Sequence, residues 1–108
     1  MPFVESPPAR ASFDLRVAAE GAVILLSLHG HLDGEAGRIL LEAATAAAAH
    51  DADRLDVDVR SVTSFTTDGA AALAACRELG AQLPQGLHYR TGQGPGRDAL
   101  LAAYQHES

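Results

Sequence analysis

The chain contains no lysine and no tryptophan, only one cysteine, and few aromatic residues, which make up 5% of its 108 residues. The single Cys76 excludes an internal disulfide, which is usual in a reducing cytosol. All eight basic residues are arginines, and they are scattered along a chain whose formal net charge is −6. Because nucleic-acid binding relies on clustered positive charge that neutralises phosphates, this composition argues against a nucleic-acid partner.

Long apolar runs are also missing. No run approaches the roughly 20 residues that span a bilayer, and the N-terminus carries Pro7 and Pro8 but not the apolar stretch of a signal peptide. We therefore expect no membrane insertion and a cytoplasmic protein. The balance of 47% hydrophobic and 20% charged residues is that of one globular domain. We expect residues 1–12 to form a flexible N-terminal lead-in and residues 13–108 to form the domain.

Apolar residues that alternate or run continuously predict four strands. The predicted strands are residues 13–17, 22–33, 54–59 and 87–90. Glu20 and Gly21 predict a tight turn, so the first two strands form a hairpin. Residues 61–66 are mostly polar, which predicts a connection after the third strand.

Apolar residues at helical spacing predict three helices. The predicted helices are residues 35–50, 68–83 and 97–106. Asp33 precedes the first helix, where its carboxylate can cap unpaired N–H groups, and Pro84 and Gly86 end the second helix. The order ββαβαβα predicts a single α/β domain with a mixed four-stranded sheet and helices packed mainly on one side.

One segment ends the second predicted strand, and another runs from the third predicted strand into the second helix. The first is Leu28-His29-Gly30-His31-Leu32-Asp33, and the second runs from Leu55 to Gly69 with the sequence LDVDVRSVTSFTTDG. In this order, and within the ββαβαβα pattern, they resemble the STAS domain of sulfate transporters and bacterial anti-sigma factor antagonists. That family shows a Gly-x-Leu-Asp step, then an apolar-Asp-apolar strand followed by Asp-Ser-Ser/Thr-Gly and a helix. The resemblance covers roughly residues 13–104.

The resemblance implies a binding domain in a bacterial sigma-factor network and no catalysis. In stand-alone members of the family, an anti-sigma factor that is also a serine kinase phosphorylates the Ser after the Asp. The unphosphorylated form binds this kinase and so frees the sigma factor, and a phosphatase restores the form that binds. By position, Thr67 is the phosphorylation candidate. Thr66 replaces the family's Asp, Asp68 replaces the next Ser/Thr, and Gly69 matches. The implied partner-binding residues are Asp33, Ser64, Thr66, Thr67, Asp68 and Gly69.

Thr67 lies at the predicted start of the second helix, where unpaired N–H groups and the positive end of the helix dipole favour a phosphate. Asp68 opposes this modification, because it places a like charge next to it. Two alternatives stay open. Thr67 and Asp68 could serve only as N-cap residues, or Asp68 could be a fixed charge on an unswitched scaffold or accessory subunit, for example of a transporter.

Two other patterns suggest ligands. His29, His31 and Asp33 alternate along a strand and share a face, which is a spacing that can hold a metal ion. No further His or Cys completes such a set, so a solvent-facing strand end is favoured. The loop of residues 92–96 precedes a helix and suggests a nucleotide-binding protein as a third hypothesis. It lacks the Gly-Lys-Ser/Thr ending of a phosphate-binding loop.

The remaining polar candidates have structural interpretations. Cys76 lies on the apolar face of the second helix, which is typical of a small core residue. Asp56 and Asp58 are interpreted as a solvated face or as salt-bridge partners, with Arg60 close by. We therefore expect no cofactor, no metal ion and no catalytic residues.

Overall fold

The computed structural model describes residues 12–106, with side chains as far as Tyr104. The predicted lead-in falls almost entirely on residues 1–11, which lie outside the described residues. The elements are β1 (Phe13–Glu20), β2 (Val23–Leu32), α1 (Gly34–Ala49), β3 (Arg54–Phe65), α2 (Thr67–Gly80), β4 (Leu87–Arg90) and α3 (Pro95–His106). This order confirms the predicted ββαβαβα fold. No helix within the described range is both long and apolar enough to cross a membrane.

The sheet is mixed and has the strand order β1-β2-β3-β4. β1 and β2 form an antiparallel hairpin, and β2, β3 and β4 are parallel. The hairpin closes through Gly21 and Ala22, one residue beyond the predicted turn. Gly21 has a φ of 61°, a conformation that glycine adopts without steric cost.

β3 is longer than the sequence pattern predicts. Residues 61–66 were expected as a connection, but the strand continues to Phe65 and pairs with the end of β2. The pairing shifts between Ser27 and His29 and again between Gly30 and His31, and each shift inserts one extra residue on the β3 side. Because each extra residue interrupts the alternation of apolar and polar side chains, the end of this strand does not look like a strand in the sequence.

All three helices pack on one face of the sheet, as predicted. Leu55, Val57 and Val59 alternate along β3 and are fully buried against them. Burial of each such side chain contributes roughly 1.5–3 kcal/mol. The same core cluster includes residues from β2 and from every helix, namely Leu26, Leu28, Leu32, Leu40, Leu73, Cys76, Ala99, Leu100 and Ala103.

The opposite face of β3 carries charged residues. Asp56 is only 1% exposed, and it accepts hydrogen bonds from Arg54 at 2.7 Å and from Arg90 of β4 at 2.9 Å. Burial alone would raise the pKa of Asp56, but the hydrogen bonds from both arginines hold this pKa below its ordinary value. Nη2 of Arg60 donates a hydrogen bond to Oδ2 of Asp58 at 2.7 Å. The salt-bridge interpretation is confirmed for both aspartates, whereas a solvated position is wrong for Asp56.

α2 covers Thr67–Gly80 and so ends before the predicted boundary at residue 83. Beyond Ala81 the N–H groups bond three residues back, Gln82 to Leu79 and Leu83 to Gly80, and Pro84 has no N–H with which to continue the helix. Gly80 also packs closely on β4, since a Cβ at this position would lie 2.3 Å from the Cβ of Leu87. α1 and α3 begin slightly earlier than predicted, at Gly34 and Pro95.

Candidate functional site

Two helices begin side by side at the carboxyl ends of the parallel strands β2 and β3. Asp33 follows β2, and its Oδ1 accepts the N–H of Ala36 at 2.9 Å, so it caps α1 as predicted. Thr66 follows β3, and its backbone N–H donates to the carbonyl of Leu32 at 3.0 Å. This bond holds the two helix starts together and brings Asp33 and Thr66 to the same edge of the sheet.

Thr66 caps α2, and its Oγ1 accepts the N–H of Gly69 at 3.1 Å. The interpretation of Thr67 and Asp68 as cap residues is therefore wrong, because both lie inside the first turn of the helix. Thr67 is the first helical residue, and its side chain is exposed. Its hydroxyl thus stands at the helix start without a capping function.

Asp68 lies between the starts of the two helices. A Cβ placed on Gly34 would lie 3.3 Å from the Cβ of Asp68 and 3.7 Å from its Oδ2. The carboxylate is therefore in the first turn of α2 and beside the first residue of α1, near the positive ends of both helix dipoles. A negative charge is stabilised at this position. A phosphate on Thr67 would experience the same dipoles, together with repulsion from Asp68.

Gly69 fixes how closely α2 approaches β2. It is buried, and a Cβ at this position would lie 2.0 Å from the carbonyl oxygen of Leu32. No side chain fits there without a shift of the backbone. Close packing therefore explains why glycine occupies the position that matches the family's glycine. The packing also fixes the first turn of α2, and with it the cap at Thr66 and the exposure of Thr67.

Ser64 lies at the end of β3, and its Oγ is 2.6 Å from Nδ1 of His31 at the end of β2. Ser64 is exposed and His31 is half-buried. The sequence does not indicate this pair, because it forms only after the second register shift between the strands. His31 is bonded to Ser64 and Asp33 is used as a cap, and among the described side chains, those of residues 12–104, there is no group of three or more His, Cys, Asp or Glu arranged for a metal ion.

An open apolar groove of about 870 Å³ runs between α1 and α2 and reaches Asp68. The helices approach closely near Gly37, where a Cβ would lie 2.6 Å from the Cβ of Ala72. The groove is lined mainly by small residues, including Thr45, Ala46, Ala49, Ala71, Ala72 and Ala75. Sequence reasoning missed it, although alanines at helical spacing outside the core stripe of α1 were the available signal.

Two glycines of the segment 92–96 have structural functions, Gly94 just before α3 and Gly96 in its first turn. Gly94 has a φ of 127°, which favours glycine. Gly96 lies against β3, since a Cβ there would be 1.9 Å from the carbonyl oxygen of Val59. Close packing and backbone conformation therefore account for both glycines, and the nucleotide hypothesis gains no support from them.

Cys76 is fully buried in α2, as expected for a core residue. Burial raises the pKa of its thiol to about 12. Since the thiolate is the reactive form, this side chain is not poised as a nucleophile at neutral pH.

No protein-family model matches the chain, and no curated protein matches it. Among solved structures, an anti-sigma factor antagonist from Mycobacterium paratuberculosis has a TM-score of 0.73 and 21% identity, over 96% of this chain and 86% of that one. A structure described as Mglu has a TM-score of 0.58 and 20% identity, over 72% of this chain and only 19% of its own. The first similarity confirms the predicted STAS-like fold.

Proposed function

We propose that this chain is an anti-sigma factor antagonist-like domain that binds an anti-sigma factor through Asp33 and residues 64–69. The observation that carries the proposal is the exposed Thr67 at the first position of α2, next to a cap that Thr66 provides. The fold shared with a solved anti-sigma factor antagonist supports it. The cytoplasmic localisation and the lack of catalysis expected from the sequence stay predictions.

Phosphorylation of Thr67 is the proposed switch. The Oγ1 of Thr67 would take the γ-phosphoryl group of ATP from an anti-sigma factor kinase, with release of ADP, and a phosphatase would hydrolyse the ester back to the hydroxyl. The phosphate adds about −1.5 to −2 charges at neutral pH. Because the cap belongs to Thr66, this charge changes the docking surface and leaves the helix start intact.

A second candidate is a domain that binds without a switch, as an unswitched scaffold or accessory subunit. The position of Asp68 favours it, because this carboxylate already places a permanent negative charge between the two helix starts. On this alternative, the partner surface is complementary to Asp68, and Thr67 is never modified.

The docking proposal is tested by titrating the anti-sigma factor kinase of the same organism into the purified domain in a calorimeter. We expect the wild type to bind and Thr67→Glu to bind at least about tenfold more weakly, a change of about 1.4 kcal/mol. The matched control is Thr91→Glu, an exposed threonine before α3, which should bind like the wild type. Equal affinity of Thr67→Glu and the wild type would refute the proposed switch.

Phosphopeptide mass spectrometry separates the two candidates. After incubation of the domain with the kinase and ATP, the switched domain carries phosphate on Thr67, and Thr67→Val carries none. A domain that binds the kinase but acquires no phosphate at Thr67 is the unswitched scaffold.

A further inference from the structure

β1 is an edge strand whose outer side pairs with no strand of the described chain. Proteins commonly protect such edges with charged side chains, lysine above all, or with proline, bulges or short strands. β1 has the sequence FDLRVAAE, without proline, glycine or lysine, and it pairs with β2 without a register shift. Val17 at its centre is 60% exposed. Its charged residues, Asp14, Arg16 and Glu20, alternate in sign, so the edge is suited to pairing with a strand of complementary charge.

The direction of the backbone groups along β1 follows from two observations. The carbonyl of Ser12 accepts the N–H of His31 at 2.9 Å. The hairpin closes with Glu20 opposite Val23 across a two-residue turn, and residues in that position form a hydrogen-bonded pair. Even-numbered residues thus bond to β2. Because the direction alternates along a strand, the N–H and C=O groups of the odd-numbered residues point outward.

Charge restricts how two copies of β1 can pair with each other in antiparallel fashion. Outward-pointing residues must lie opposite one another, so the two-fold axis passes through a residue of the strand. An axis at Asp14 or at Arg16 places that charged residue opposite itself, and an axis at Val17 places Asp14 opposite Glu20. An axis at Leu15 places Asp14 opposite Arg16 twice, which is a favourable cross-strand pair.

An axis at Ala18 also pairs opposite charges, namely Arg16 with Glu20. Both registers pair five residues of β1, but in this one Val17 lies opposite Ala19, and Leu15 has no residue of β1 opposite it. The axis at Leu15 instead places Phe13 opposite Val17 and Leu15 opposite itself. Since aromatic and β-branched pairs stabilise sheets, the apolar residues select the register centred on Leu15.

We infer that two copies of this chain associate along β1 in the antiparallel register centred on Leu15, which joins their sheets into one continuous sheet. The axis is perpendicular to the sheet, so the helices of both copies remain on the same face. Phe13, Leu15 and Val17 of both copies then form an apolar cluster that covers the exposed Val17. Asp14 and Arg16 form an exposed ion pair at 2.9 Å within each copy. On the face of the sheet opposite the apolar cluster, Asp14 of each copy then lies next to Arg16 of the other.

The association leaves the proposed docking surface accessible. Thr67 follows β3, which β2 separates from β1 in the sheet. Because the two β1 strands are antiparallel, the Thr67 surfaces of the two copies lie toward opposite ends of the joined sheet. The dimer would thus present two separate docking sites, and each could bind without the other.

Disulfide trapping tests the register. In a hydrogen-bonded antiparallel pair, opposite Cα atoms are about 5.5 Å apart, which a disulfide can bridge. Under mild oxidation, Leu15→Cys should form a covalent dimer, while Ala18→Cys and the wild type, whose Cys76 is buried, should not. Trapping of Ala18→Cys instead of Leu15→Cys would overturn the register.

Charge exchange tests the association itself by sedimentation equilibrium. Asp14→Arg places arginines opposite each other and should weaken dimerisation about tenfold or more. The double variant Asp14→Arg with Arg16→Asp restores pairs of opposite charge and should bring the dimerisation affinity close to the wild-type value. Circular dichroism checks that each variant folds. A wild type that stays monomeric at high micromolar concentration, or a double variant as weak as the single one, would overturn the inference. Such a monomer could still bind the anti-sigma factor, so the docking proposal is tested separately.

Discussion

The hydroxyl of Thr66 accepts the backbone N–H of Gly69 at 3.1 Å, and this bond leaves the side chain of Thr67 exposed at the start of α2. The position that matches the family's Asp is thus occupied by an uncharged capping residue. A threonine oxygen and an aspartate oxygen can make the same bond to an N–H at a helix start. An aspartate at position 66 could therefore cap α2 as Thr66 does and leave the geometry around Thr67 unchanged.

Removal of the cap should destabilise the fold, whereas removal of the neighbouring hydroxyl should not. Thr66→Ala is expected to lower the free energy of unfolding by about 1 kcal/mol, and Thr66→Asp to restore it. Thr67→Ala is the control and should change it by less than about 0.5 kcal/mol. Urea unfolding measures all three. A larger loss for Thr67→Ala than for Thr66→Ala would show that the cap has been assigned to the wrong residue.

Gly69→Ala should be among the most damaging single changes near the site. Its methyl group would lie 2.0 Å from the carbonyl oxygen of Leu32, so α2 must move, and overpacking of this kind costs about 1–3 kcal/mol. Gly92→Ala is the matched control, because its nearest neighbour would be Cγ of Arg60 at 3.9 Å. Thermal unfolding should separate the two variants clearly. Equal melting temperatures would contradict the close approach of α2 to β2.

Asp56 should make stability depend on acidity. Its pKa is lowered in the folded protein from an ordinary value of 3.8, so its contribution is fully present above that value and is lost as the pH falls through the folded pKa. The difference in unfolding free energy between the wild type and Asp56→Asn should therefore be large at neutral pH and shrink below about pH 3.8. Asp14→Asn, in an exposed pair, should differ from the wild type by less than about 1 kcal/mol. If the difference in unfolding free energy between the wild type and Asp56→Asn grew as the pH fell, the pKa of Asp56 would not be lowered in the folded protein.

Cys76 should resist thiol reagents as long as the chain is folded. Its side chain is fully buried and its pKa is raised to about 12, so very little thiolate is present at pH 8. Iodoacetamide should modify it only in urea, as followed by mass spectrometry. Rapid modification without denaturant would mean that α2 opens readily or that Cys76 is not in the core.

The element order and the core face could be predicted from the sequence, because they depend on local periodicity. Leu55, Val57 and Val59 alternate strictly, and all three are buried. The carboxylate of Asp33 and its position before the first helix predict a cap, and Asp33 caps α1. Each of these features is determined by residues that are close together in the chain.

Features that depend on pairing between distant segments could not be predicted. The end of β3 and the contact of His31 with Ser64 follow from two register shifts, which leave no periodic signal in the sequence. The buried Asp56 forms an ion pair with Arg90, which belongs to another strand. The choice of Thr66 over Thr67 as the cap depends on where the hydrogen bond to Leu32 ends β3. The groove between α1 and α2 likewise exists only once the two helices are packed.

The most direct measurement is the rate at which iodoacetamide modifies Thr67→Cys with and without the anti-sigma factor. The new thiol replaces an exposed side chain, and the buried Cys76 should contribute no background. We expect fast modification of the domain alone and strong protection at a saturating concentration of the anti-sigma factor, while Thr91→Cys stays fast in both conditions. Modification of Thr67→Cys at the same rate in the saturated complex would contradict docking at this helix start.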